Sequence, residues 1–132
     1  MYEWLKDFQN ISQEVDYLEF SIERYKTELK RWVEGDLQDV HLNEKSKASN
    51  LEEIIQKSKE ALRIKQDQKQ QLIKLISKFK GLENQILRMK YVEGKTLEDI
   101  AEELCYSSSH ISKKHAEIMR IIRFADNTAA MS

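Results

Sequence analysis

Nine large apolar residues recur at steps of four and three near the start of the chain: Trp4, Phe8, Ile11, Val15, Leu18, Ile22, Tyr25, Leu29 and Trp32. A 3.5-residue repeat held over about four heptads is the seam of a left-handed coiled coil. Most of the positions between are Glu, Lys, Asp, Arg and Gln. Such a helix, about 45 Å long at about 1.5 Å per residue, cannot stand alone in water with that stripe bare. The stripe is therefore core, and it has to be covered by a second helix.

A candidate for that second helix follows. Gly35 should end the first, and residues 36–50 (DLQDVHLNEKSKASN) read as a connection poor in apolar residues. Ser49 or Asn50 can cap a new helix, with Glu52 and Glu53 in its first turn where the macrodipole favours acids. Its seam is weaker: Leu51, Ile55, Ser58, Leu62, Lys65, Lys69, Leu72, Ile76 and Phe79, with a companion row of Ile54, Ala61, Gln68 and Leu75. The ends are apolar and the middle, IKQDQKQQ, is polar, so Lys65 and Lys69 must cost stability or stand half-exposed. The simplest packing is an antiparallel hairpin of the two seams. Alternatively each helix pairs with its copy in a second chain, and the nine stripe residues Trp4 to Trp32 are the expected oligomerisation surface. Each buried seam side chain contributes up to about 1.5–3 kcal/mol, more than the charged faces can.

The chain has no proline, three glycines (Gly35, Gly81, Gly94) and 34% charged residues. This fits long exposed helices with glycine punctuation better than an α/β core. The expected class is all-α: residues 1–80 a helical hairpin with its linker at about 35–50, residues 81–125 a second domain, and 126–132 a loose tail. Net charge is −1, so bulk electrostatics will not drive tight nonspecific binding to nucleic acid. The single cysteine, Cys105, has no intramolecular partner, which suits a cytoplasmic protein. The first ten residues lack the apolar run of a signal peptide, and no segment approaches the roughly 18 apolar residues of a membrane span. His110 and His115 fall on different sides of a helix and make a poor metal site with Cys105. No cofactor motif and no nucleophile–base constellation is visible, so the chain is not expected to be an enzyme.

The second domain centres on residues 96–123, TLEDIAEELCYSSSHISKKHAEIMRIIR. Thr96 caps a first helix, and Asp99 three residues on makes a T-x-x-D capping box. Leu97, Ile100, Ala101 and Leu104 share one face, with Ala101 small enough for a steep helix crossing. Cys105-Tyr106-Ser107 is a short turn, and Ser107 caps the second helix, which keeps Ile111, Ile118 and Ile122 inward. Its start presents Ser108, Ser109, His110, Ser112 and Lys113, followed by Lys114, Arg120 and Arg123. From Ser107 to Phe124 there are four basic residues and one acid, whereas Leu97 to Leu104 holds four acids and no base. Two helices joined by a tight turn, the second one basic, are the arrangement that places a recognition helix in the major groove.

Residues 85–120, QILRMKYVEGKTLEDIAEELCYSSSHISKKHAEIMR, resemble region 4 of bacterial sigma factors. They are more similar still to the sigma-region-4-like regulators of phages and prophages of the ArpU and RinA type. The shared pattern falls on Ile86, Leu87, Tyr91, Glu93, Gly94, Thr96, Glu98, Ile100, Ala101, Leu104, Ser107 and Ile111. Cys105 departs from it where such turns often carry Gly, and Lys114 where the position is usually apolar. The resemblance implies a DNA-binding transcription regulator of phage or prophage origin, with double-stranded DNA as ligand and RNA polymerase as a permitted partner. Thr96 and Ser107, at two helix starts, would then face phosphate. Ser108, Ser109, His110, Ser112 and Lys113 would read bases, and Lys114, Arg120 and Arg123 would position the backbone. A homodimer held by the long helices would join two weak sites. Two other readings stay open: a phage small terminase subunit, which also combines a helix-turn-helix with an oligomerising hairpin, and a coiled-coil adaptor for a protein partner.

Overall fold

The computed structural model describes residues 2–34 and 44–131, and no strand occurs among them. Gly35 and most of the expected connection lie outside the described residues. Six α-helices follow in order: α1 (Tyr2–Lys6), α2 (Phe8–Val33), α3 (Glu44–Lys78), α4 (Gly81–Leu87), α5 (Leu97–Leu104) and α6 (Ser108–Met131), with a π-helical turn over Arg88–Val92 after α4. The chain divides into two compact units. One is Ser12–Asp67; the other joins Met1–Ile11 to Gln68–Ser132.

In the unit Ser12–Asp67 the stripe of α2 faces α3 of the same chain. Val15, Ile22, Leu51 and Ile55 are buried, and Leu18, Tyr25, Leu29, Trp32, Ser58, Leu62 and Lys65 are half-buried. Polar clamps fix the pairing: Lys65 Nζ lies 2.7 Å from a Glu14 carboxylate oxygen, and Gln66 donates to Glu19 at 3.3 Å. The start of α2 thus meets the far half of α3, as in an antiparallel hairpin. Lys65, placed on the seam by its spacing, is tolerated because its stem lies along the seam while its ammonium reaches Glu14.

The other unit is built around Ile86, Leu87, Ile100, Ile111 and Ile118, all fully buried. Its core also takes in Leu5, Phe8 and Ile11 from the N-terminal end and Leu72 and Ile76 from the end of α3. The apolar ends of both long helices therefore belong to this unit, and its boundary falls at Gln68, inside the polar run, rather than at Gly81.

Three expectations are corrected. The first helix is not continuous from Trp4, because Asp7 ends α1 and starts α2. The Asp7 N–H donates to Glu3 O and Trp4 O, both at 3.1 Å, and Asp7 O accepts from Ile11 at 2.8 Å. This offset buries Leu5 fully and leaves Trp4 half-buried. Next, α3 starts at Glu44, so Ser49 and Asn50 stand inside it and cap nothing. Residues 44–48, EKSKA, hold good helix formers and no Gly or Pro to stop them. Last, the tail expected to be loose over residues 126–132 continues α6 to Met131, again with no breaker in DNTAAM.

Candidate nucleic-acid interface

The turn between α4 and α5 is set by backbone geometry. Glu93 N–H donates to Arg88 O at 3.0 Å and Lys95 N–H to Met89 O at 2.9 Å, which closes the π-turn. Gly94 then takes φ +79°, and a Cβ there would run into the side-chain amide of Gln9. The chain leaves Gly94 into Thr96, whose Oγ1 accepts from Asp99 N–H at 3.1 Å and caps α5. On α5, Ile100 and Ala101 are buried while Glu98, Asp99, Glu102 and Glu103 are exposed. Lys95 reaches across to Glu103 (2.8 Å) and Glu93 (3.4 Å), and the bond to Glu103 holds its ammonium above the usual lysine range.

The turn that joins α5 to α6 is a Schellman cap. Tyr106 N–H donates to Ala101 O at 2.9 Å and Cys105 N–H to Glu102 O at 3.3 Å, with Cys105 left-handed at φ 61°. A side chain in this region is strained, and glycine is not. Cys105→Gly should therefore raise stability by about 0.5–1 kcal/mol once glycine's extra unfolded-state entropy is subtracted. Thermal unfolding checks this: an unchanged or lower midpoint would mean that the cysteine relieves the bend in some other way.

Ser107 Oγ accepts from His110 N–H at 3.1 Å, so α6 is capped as the sequence predicts. Ile111, Ile118, Met119 and Ile122 are buried, which fixes the rotation of the helix. At about 100° per residue, Ser109, Lys113 and Arg120 then lie opposite the core, with Ser112 and Arg123 on one flank. Ser108, Ser109, Ser112, Lys113, Arg120 and Arg123 are all exposed. His110 is exposed too, but its ring stacks on Tyr106 at 5.0 Å between centroids, toward the turn. Lys114 lies on the other flank, half-buried, with its ammonium 3.8 Å from Glu117. The structure thus gathers five of the expected base-facing residues at one helix start. It brings Lys113 and Arg120 onto one face and turns Lys114 aside.

Thr96 stands elsewhere, at the rim of an open cleft of about 680 Å³ that is also lined by Lys6, Lys90, Lys95 and His115. Glu98 lines the same cleft, and Lys95 is already paired with Glu103 and Glu93, so the rim carries charges of both signs.

His115 was not foreseen as part of any site. Its Nε2 lies 2.7 Å from Tyr91 Oη, the two rings stack at 5.8 Å, and Tyr91 Oη is 3.6 Å from Met119 Sδ. The contact ties α6 to the π-turn. Its inward position, four residues after Ile111 and three before Ile118, was readable; its partner was not. Burial pushes the imidazole below its usual pKa, and the charges of Lys90 and Arg123 add to this. The folded state thus disfavours the proton that the unfolded state accepts near pH 6.5. The stability that His115 contributes is complete above about pH 6.5 and is lost as pH falls below it. Denaturation midpoints at pH 7.5 and 5.5 should differ for the wild type, and His115→Gln should shrink the difference; an equal slope in both would contradict this.

Residues 75–123 match the family model of sigma-70 region 4. The segment is a sigma region 4-like helix-turn-helix, a DNA-binding module. No curated protein and no solved structure gives a match. The matched segment starts at Leu75 in α3 and ends at Arg123 in α6, so it falls wholly within the C-terminal compact unit. The unit Ser12–Asp67 lies outside the match.

Proposed function

We propose that the chain is a sequence-specific transcription regulator of phage or prophage type that binds double-stranded DNA as a homodimer through α6 residues 108–123. One observation carries the reading: the capped start of α6, in a segment matching sigma-70 region 4, presents a cluster of exposed small donors and a lysine. Ser107 and the free N–H groups beside it hold a phosphate, and Ser108, Ser109, Ser112 and Lys113 meet base edges. His110, stacked on Tyr106, sits at the edge of that set. Arg120 and Arg123 hold the backbone farther along, with Lys114 and the Thr96 rim as outlying phosphate contacts.

The work is binding, in the cytoplasm, with no cofactor and no chemistry. Ile121 and Phe124 are exposed at the end of the basic stretch and offer an apolar patch to a protein partner, RNA polymerase being the one the resemblance permits. No described helix is long and apolar enough to cross a membrane.

Selection of preferred sequences from a random DNA pool, followed by titration at several salt concentrations, tests the proposal. A recurring site, bound less tightly as salt rises, is the expected result. No enrichment and no binding at low salt would overturn it.

A further inference from the structure

The apolar stripe of α2 is covered by α3 within the chain, yet the opposite face of α2 carries a second series at steps of four and three: Gln13, Tyr17, Phe20, Arg24, Thr27 and Arg31. Tyr17 is 67% exposed and Phe20 65%, two aromatic rings one turn apart on the outside of a helix that already has a buried side. A shallow concavity of about 420 Å³ opens beside Phe20, lined by Glu23, Arg24, Thr27, Glu28 and Arg31. Single exposed apolar residues are ordinary, but paired rings on a repeated stripe mark an interaction surface.

Charge along the same helix points to the occupant. Residues 12–23 hold four acids and no base, and residues 24–33 hold four bases and one acid. Glu14 and Glu19 turn to Lys65 and Gln66 on α3, which leaves Asp16 and Glu23 ahead of Arg24, Lys30 and Arg31 on the solvent side. A helix acidic in one half and basic in the other is complementary to itself when reversed.

We infer that the outer face of α2 pairs antiparallel with the same face of a second copy of the chain, centred on Glu23 and Arg24, with Tyr17 and Phe20 inside the interface. Each acidic half then lies along the partner's basic half, with Asp16 toward the partner's Arg31 and Glu23 toward the partner's Arg24, and the rings of Phe20 and Tyr17 are withdrawn from water about one and two turns to either side of the centre. The pairing deepens the dimer reading above, with the interface on the outer stripe of α2 instead of the inner one.

The mass of the full chain in solution tests it without DNA. The wild type should have the mass of a dimer at tens of micromolar, and the double variant Tyr17→Glu, Phe20→Glu should have half that mass with unchanged helicity. Two charge variants sharpen the test. Asp16→Lys with Glu23→Lys, and Arg24→Glu with Arg31→Glu, should each be monomeric alone, and mixed they should recover the dimer mass as a heterodimer. A monomeric wild type, a ring of many subunits, or a dimer that survives the Tyr17 and Phe20 changes would overturn the proposal. Loss of DNA recognition is read separately: the double variant keeps α6 intact and should still bind a half-site, more weakly. A dimer that binds no DNA would leave this interface standing and remove the regulator.

Discussion

Ile118→Ala is expected to destabilise the C-terminal unit by about 2–5 kcal/mol, the range for emptying a fully packed core position. Ile118 has no exposed surface and lies on the inward side of α6 in the cluster that also buries Ile86, Ile100 and Ile111. Truncation removes transfer energy and leaves a cavity that α4, α5 and the rest of α6 cannot easily close, since each already carries a buried residue at the same centre. That loss is a large share of what a small domain has to spare. Ile121 is a control on the same helix. It is 56% exposed, and Ile121→Ala should change stability by no more than about 0.5 kcal/mol. Denaturant midpoints of the two variants should separate widely, and similar midpoints would mean that α6 is rotated from the orientation described.

The second large effect is on binding. Lys113→Glu should weaken binding to the selected DNA by about 1–3 kcal/mol, on the order of ten- to a hundredfold, and leave helicity unchanged. Lys113 is exposed one turn into α6, opposite the core, where a recognition helix meets base edges and the nearest phosphates. Reversal of its charge both removes a donor and sets a carboxylate against the backbone. Lys114→Glu should matter less. Its side chain is half-buried on the flank and already near Glu117 at 3.8 Å, so little of its charge is directed outward. Arg120→Ala should weaken all sequences about equally and lower the slope against salt by about 1, as for a phosphate contact. Equal losses for Lys113 and Lys114 would contradict the rotation of α6.

Much of this was legible in the chain. The helix-turn-helix was readable because its signals are local: a Thr and a Ser at N-caps, Ala101 where helices cross, and a three-residue turn. The seam of α2 was readable for the same reason, since a 3.5-residue period has few alternatives. Even the half-exposed Lys65 followed from its place on the weaker seam of α3. Less visible were features that depend on distant partners. Asp7 breaks the first helix beside the buried Leu5, and that break was hidden under an unbroken apolar rhythm. The division at Gln68 depends on which apolar ends the other helices collect, although the polar run around it was in view. Tyr91 and His115 meet across 24 residues of sequence, and neither advertises the other. The nine-residue stripe was equally suited to a partner chain or to α3. Spacing alone could not choose between them, and the short connection to α3 brings the nearer partner.

The central claim is that the start of α6 enters duplex DNA. Amide chemical shifts of the full chain, recorded as the selected DNA is added, test it most directly. The account predicts that the largest changes fall on Ser107 to Lys113, with smaller ones at Thr96, Arg120 and Arg123, while Tyr17 and Phe20 stay unmoved. Changes confined to the acidic α5 or to the long helices, with Ser108 to Lys113 unaffected at saturating DNA, would contradict it.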